Sequence, residues 1–541
     1  MSAPSPAIAE RCQQARQAMA AGSLAAAKAQ VESLLAEHPD DLRSHLVRNE
    51  LLLALGEHAE ALANGQKLLE RWPRNPWLLA NLVSVHMAGH DTAAAISLYR
   101  EQVESSELPE ADKTRIARRI AAANRRNREA GEILERRLAV AADDPALLRE
   151  VASSCLAMGR LEEAAEFFAR SHELSPLPGW AAALRLDAHL QCRRLAGAMP
   201  VADATGIAIL ADALRRFPGD PLFVRSFNRM AIPLGPWREI YRLIRMNETS
   251  GRSSNGLMEF ELAKACFQAG DPAAARRLLD GLEAQSRWGT ASRPLATLLG
   301  GIPDGFWQRA RLQDDPAAEV QVVRTPGASM TLVVFATLTG NFMMLPLAGL
   351  DAVLAELPAN VIYLRDTMFG SGLSGLRSLG PGIGATLDHL RRLIDELGAA
   401  ETVTVGASVS GLSAMRYGAR LGASRAVTFG GFTTVDPEFE GTPVGLQRTM
   451  RRAQQQRVNV ADRFEDAATE LARAPDMRVD MHVGGQFETD LQQADRLSEI
   501  SQLHVHRETG VDHHYVALTM ISRGRFCAAV AGQMRDQERL P

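Results

Sequence analysis

Three residues in the last third of the chain have the types and the order for nucleophilic chemistry: Ser408, Asp490 and His514. A serine hydroxyl is a weak nucleophile until a base takes its proton, and that base needs an acid to orient it. Ser408 sits in Gly406-Ala407-Ser408-Val409-Ser410-Gly411, after the β-branched run Thr402–Val405 and before an apolar series at helical spacing, Leu412, Met415, Ala419 and Leu421. Strand, tight turn carrying a serine, then helix is the context a nucleophile elbow requires. In the G-x-S-x-G pattern the fifth position is glycine; here it is Ser410, with Gly411 one step late. An ordinary strand-to-helix turn rich in small residues has a similar composition, and the downstream residues weigh for the nucleophile.

Those residues come in the order serine, acid, base. After the strand pattern Val479–Val483 comes a loop, Gly484 to Asp490, which places Asp490 where a strand-end carboxylate belongs, with Glu488 as the alternate. The next strand pattern, Gln502–His506, leads through Gly510-Val511-Asp512 to His513 and His514. Both histidines occupy the loop where the base is expected, and Asp512 is a rival acid too close in sequence to reach them without folding back. His482 and His504 fall inside strand patterns and read as packed or surface side chains.

An oxyanion formed at Ser408 needs N–H donors. One is expected from Val409, at the positive end of the following helix. The second is expected from the turn Thr337-Leu338-Thr339 after an earlier strand, hence Leu338. No metal is expected: His504, His506, His513 and His514 are clustered, yet neither a helical H-E-x-x-H nor cysteine pairing supports a site. Gly370 to Gly375 fits G-x-G-x-x-G, but Leu379-Gly380-Pro381-Gly382 intervenes before any helix, so a nucleotide site is not expected. This loop is expected to border the mouth of the active site.

The elements that must position these residues begin near residue 318. Strand patterns at 319–324, 331–336, 360–365, 402–407, 425–429, 478–483 and 502–506 alternate with amphipathic stretches, an arrangement that predicts a doubly wound, mostly parallel sheet with helices on both faces. Upstream the pattern is purely helical and repetitive. Gly22 and Gly56, Ala27 and Ala61, and Pro39 and Pro73 each lie 34 residues apart, and Ala95 lies 34 past Ala61. Gly159, Ala164, Phe168 and Pro176 keep the same internal spacings, while 110–144 and 180–250 keep the helical period but lose the signature. The arginine-rich stretch Arg115–Arg128 reads as a solvated face. The division expected is a helical-repeat region at 8–290, a linker or docking segment at 291–317, and an α/β region at 318–541 that folds on its own from about 315. An insertion at 436–475, rich in Gln and Arg, is expected to act as a lid.

With 46% hydrophobic and 23% charged residues the chain has the composition of a globular protein, and its net charge of −4 gives no electrostatic reason to bind nucleic acid. No stretch reads as a membrane span or a secretory signal. Five scattered cysteines point to a reducing cytoplasm rather than to disulfides or zinc.

The N-terminal units resemble tetratricopeptide repeats (TPR), helix-turn-helix units of 34 residues that stack on one another. Residues of about 330–530 resemble the α/β-hydrolase family: VGASVSGLSAMRYGARLGA is similar to the elbow and helix of its serine esterases, thioesterases and acyltransferases, and GVDHHYVALTMISRG to its final histidine loop. Within that loop His514 matches the spacing to Met520 and Gly524 better than His513. The resemblance implies an α plus α/β multidomain protein, a TPR-like helical-repeat array followed by an α/β-hydrolase-like domain. It implies acyl chemistry on an ester, thioester or related bond, with Ser408 as nucleophile, His514 as base, Asp490 as orienting acid and no cofactor. The implied partners are a small or acyl-carrying substrate and a protein or peptide held by the repeats, or a second copy of the chain. The alternative is a scaffold: repeats that bind a partner, and a hydrolase fold retained for interaction.

Overall fold

The computed structural model describes residues 6–195, 202–246, 256–282, 287–303, 305–367, 371–443, 447 and 466–534. The chain divides into two compact units, Met1–Cys192 and Arg193–Pro541.

The first unit is built of stacked helix pairs. Pro6–Ala20 pairs with Leu24–Glu37, Leu42–Ala54 with His58–Arg71, and Pro76–Ala88 with Thr92–Leu98; Glu110–Ala123 with Arg128–Val140 and Pro145–Ala157 with Leu161–Leu174 complete the series. The 34-residue signature has a physical basis at each position. Gly22, Gly56 and Gly159 end their helices with φ of +75°, +81° and +80°, a left-handed conformation that costs glycine little. His90 takes the same role in the third pair at φ +60°, which is why that repeat lacks its glycine. Ala27, Ala61, Ala95 and Ala164 are fully buried where helices touch. Residues 110–144 lose the signature yet remain a helix pair, because Asn127 and Asp144 cap helix starts through their side chains. Polar groups tie successive repeats together: buried Asn49 donates to Asn81 Oδ1 at 2.8 Å and accepts from Asn64 at 2.6 Å.

The second unit corrects the expected boundary near 290. Its helices Leu257–Gln268, Pro272–Asp280 and Arg287–Gly301 share one core with the sheet. Phe267, Leu295, Leu298 and Leu299 are fully buried in that core beside Leu332, Val334 and Phe429. Of the two expectations for 291–317, linker or docking segment, the packing of Leu295, Leu298, Leu299 and Phe306 in this core fits the second. A Cβ on Gly301 would stand 2.8 Å from Ser522 Cβ, and one on Gly349 would stand 2.8 Å from the Trp307 ring. Buried Asp351 accepts from the Arg311 and Leu312 amides, from the Arg311 guanidinium and from the Tyr363 hydroxyl, which pins the chain where it enters the sheet.

The seven strands are β1 Val320–Val323, β2 Met330–Phe335, β3 Ala359–Leu364, β4 Glu401–Ala407, β5 Arg425–Phe429, β6 Arg478–Gly484 and β7 Leu503–Glu508. Their spatial order is β1-β3-β2-β4-β5-β6-β7. β1 runs antiparallel to β3 and every other pairing is parallel, so the sheet is mixed at one edge. Alternation along β2 sends Leu332 and Val334 into the core shared with the upstream helices, and Val333 and Phe335 into a second core under Gly382–Leu397 and Val409–Leu421. Both faces are covered, and a sheet buried on both faces reads as the continuous apolar runs seen in the sequence. Most of the expected insertion at 436–475 lies outside the described residues. No helix among the described residues is long and apolar enough to cross a membrane.

Candidate active site

Ser408 ends β4 and begins the helix Val409–Leu421 with φ +54° and ψ −132°, a conformation that a residue with a Cβ rarely adopts and that costs on the order of 1–3 kcal/mol. The surroundings hold it there. Its N–H donates to Phe429 O at 3.1 Å, and its carbonyl accepts from Gly411 and Phe432 at 2.9 Å each. A Cβ on Gly406 would lie 2.1 Å from Ser410 O, and one on Gly411 would lie 2.6 Å from Gly431 Cα, so the turn closes only with glycine at both places. Ser410, in the motif's glycine position, is buried and serves the turn: its hydroxyl accepts from Ala407 N–H at 2.9 Å and lies 2.7 Å from Ala407 O and 3.0 Å from Phe335 O.

His514 stands in the loop after β7, with Nδ1 2.7 Å from Oδ1 of Asp490. Asp490 lies in the first turn of Glu488–Asp495, after β6, and is fully buried. Phe432 stacks on the imidazole at a centroid distance of 5.5 Å, and Phe487 approaches it at 6.0 Å. Gly430, with φ +54°, leaves room for the pair: a Cβ there would lie 2.8 Å from His514 O and 2.9 Å from Asp490 Oδ2. His514 Nε2 is buried without a hydrogen-bond partner, so the serine hydroxyl and the ring are not bonded in this conformation. Ser408 and His514 line one cavity of about 310 Å³, at the small end of ligand pockets.

The alternates lie elsewhere. Glu488 is exposed and accepts from Gln492 at 3.3 Å. His513 is outside the cavity lining, and burial pushes its pKa down. Asp512 faces Arg293 at 3.6 Å on an exposed surface. His482 and His506 stack at 4.5 Å and pair with Glu508 and Asp480, away from His514.

Val409 is the first helical residue, where amides lack intrahelical acceptors. Leu338 lines the cavity within a turn closed by Thr337 N–H to Asn341 O at 2.7 Å. Just beyond that turn, Met343 and Met344 hold φ of +52° and +70° and also line the cavity. In the described part of the glycine loop, the carbonyls of Ser371, Gly372 and Leu373 accept from Ser413, Tyr417 and Arg416, fastening it to the helix Val409–Leu421.

Sequence reasoning missed the opposite wall. Arg225, Asn228, Arg229, Phe260, Glu261 and Lys264 come from helices assigned to the repeat region, and nothing in their spacing ties them to Ser408.

No known protein family and no curated protein sequence matches this chain. Among solved structures it is similar to PilW, a widely conserved type IV pilus biogenesis factor, at 16% identity and a TM-score of 0.34, over 41% of this chain and 99% of that one. It is similar to Pseudomonas aeruginosa PilF at 14% identity and a TM-score of 0.32, over 41% of this chain and 96% of that one. The C-terminal part of a TPR repeat-containing protein from Cytophaga hutchinsonii matches at 14% identity and a TM-score of 0.34, over 50% and 99%.

Proposed function

We propose that the second unit is a serine hydrolase of the α/β-hydrolase type, acting on an ester, thioester or related acyl bond, and that the helical repeats bind a protein partner. The observation that carries the first part is the His514–Asp490 pair. An imidazole whose Nδ1 is held by a buried carboxylate presents Nε2 as a base, and His514 lines the same cavity as Ser408.

In this reading Ser408 Oγ attacks the acyl carbonyl and its proton passes to His514 Nε2. The oxyanion accepts hydrogen bonds from the Val409 and Leu338 amides. Collapse expels the alcohol, thiol or amine, which takes the proton back from the imidazolium. Water, deprotonated by the same nitrogen, then releases the acid. Asp490 holds the ring and offsets its charge. A gap between serine and base in the unliganded site is compatible with this sequence, since catalytic hydrogen bonds often tighten only around substrate. The test is turnover of 4-nitrophenyl acetate and butyrate by wild type and by Ser408→Ala. Loss of turnover in a variant with unchanged circular dichroism supports the reading; turnover at the wild-type rate ends it.

A second reading is a scaffold in which the repeats hold a partner and the sheet is an interaction module. The stacked helix pairs of the first unit favour it, because such arrays form extended binding surfaces. The missing serine–histidine bond favours it as well. It expects no esterase activity, and retention of partners from the native cell by Met1–Cys192 alone.

A further inference from the structure

The lining of the cavity that Ser408 borders holds more positive than negative side chains. Arg225, Arg229 and Lys264 line the cavity against a single carboxylate, Glu261. That carboxylate is already engaged: it is buried, Lys264 Nζ lies 2.5 Å away and Asn228 Nδ2 2.9 Å away. Lys264 also lies over the Phe260 ring, 4.9 Å from its centroid. Arg225 reaches Glu261 only at 3.9 Å. Arg229 lines the same cavity without an ion pair among the described residues, and burial, then the neighbouring Arg225, lower its pKa against the pull of Glu261. The same cavity is also lined by Phe260, Trp288, Met343, Met344 and Tyr515.

A site with more guanidinium and ammonium groups than carboxylates is suited to an oxyanion, which guanidinium groups bind with charge-assisted, often bidentate hydrogen bonds. We infer that the substrate is an acyl compound bearing a carboxylate or phosphate, its charge seated against Arg225 and Arg229 and its carbonyl at Ser408. This rests on the hydrolase reading for the carbonyl but not for the anion. The apolar side chains in the lining suit a hydrocarbon or aromatic segment in the compound. Glu261 keeps Lys264 in place and restrains the arginines electrostatically, so the rim stays cationic without drawing the lysine into the cavity.

Matched ester pairs test the chemistry. On the acyl side, 4-nitrophenyl hydrogen glutarate is compared with its methyl ester. On the leaving-group side, 4-acetoxybenzoate is compared with its methyl ester, and 4-acetoxyphenyl phosphate with its neutral dimethyl ester. In wild type the charged member of at least one pair should be favoured by about tenfold or more in kcat/KM, as expected for one charge-assisted contact. In Arg225→Gln/Arg229→Gln that ratio should collapse toward one, and raised salt should reduce it in wild type. Which pair shows the preference decides between acyl and leaving-group sides and between carboxylate and phosphate. Equal turnover within every pair, or a ratio that survives the double substitution, overturns the inference. Calorimetry of the Ser408→Ala protein with glutarate and with methyl phosphate separates the two claims. Anion binding that depends on the arginines, with no ester turned over by wild type, would sink the hydrolase reading alone. Absence of anion binding alongside Ser408-dependent turnover would sink the anionic substrate alone.

Discussion

Asp490 Oδ1 and His514 Nδ1 are 2.7 Å apart, with the carboxylate fully buried and the imidazole reaching the cavity surface. The two residues are 24 positions apart and follow adjacent parallel strands, Asp490 in the first turn of a helix and His514 in a loop. Replacing Asp490 by Asn keeps the shape and removes the charge that fixes the ring's tautomer. The expected loss in kcat/KM is about 10³–10⁴-fold, with the melting temperature close to wild type. Glu488→Gln, at the exposed alternate, should change neither. The comparison is read by ester kinetics on the three proteins side by side.

Gly430 tests the same pair through the backbone. An added methyl meets His514 O at 2.8 Å and Asp490 Oδ2 at 2.9 Å, at φ +54°. Gly430→Ala should therefore cost about 1–3 kcal/mol of stability and displace the imidazole. Activity should fall more than stability alone explains when both are measured well below the melting transition.

The shared core predicts which fragment folds. Residues 193–541 should give a cooperative unfolding transition, because they keep Phe267, Leu295, Leu298 and Leu299 against the sheet. The shorter piece 315–541 lacks those side chains and the Arg311 contacts to Asp351. It should aggregate or show far lower stability in urea, by thermal and chemical denaturation. Equal stability of the two pieces would show that the upstream helices are dispensable.

Burial also makes a prediction about pH. His482 is enclosed between Phe429 and His506, with Glu508 at 3.1 Å, Asp480 nearby and Arg525 on Glu508. Burial, the largest influence, holds its pKa below the ordinary imidazole value despite Glu508, and His513 is lowered chiefly by burial too. A folded pKa below the unfolded one means the unfolded chain binds protons first. That contribution to stability is full above about pH 6.5 and is lost as pH falls through the folded value. The slope reaches at most about 1.4 kcal/mol per pH unit for each group. Melting temperatures should thus drop as pH is lowered from 7 toward 5, and His482→Gln should flatten that drop. An unchanged slope in both His482→Gln and His513→Gln would place the effect elsewhere.

Much of this was legible in the sequence for local reasons. All seven strands fall within about two residues of the expected runs, and β2 to β6, buried on both faces, leave the most continuous apolar signal. The placing of Ser408, Asp490 and His514 after β4, β6 and β7 was legible because glycines mark the turns that follow those strands. The boundary near 290 was not, because Leu257–Gln268 and Arg287–Gly301 have the same helical periodicity whether they pack on another helix or on a sheet. The antiparallel direction of β1 was equally silent, since direction leaves no mark on a four-residue run. The cationic wall is a long-range juxtaposition of Arg225, Arg229 and Lys264 with Ser408, and only the fold brings them to one cavity.

The most direct measurement of the central claim is covalent labelling of the intact protein by a fluorophosphonate probe, with the modified peptide mapped by mass spectrometry. An activated serine should give stoichiometric modification at Ser408, strongly slowed in His514→Ala and absent in Ser408→Ala. No labelling of folded wild type, or labelling of His514→Ala at the wild-type rate, would contradict the proposal that Ser408 is a nucleophile activated by His514.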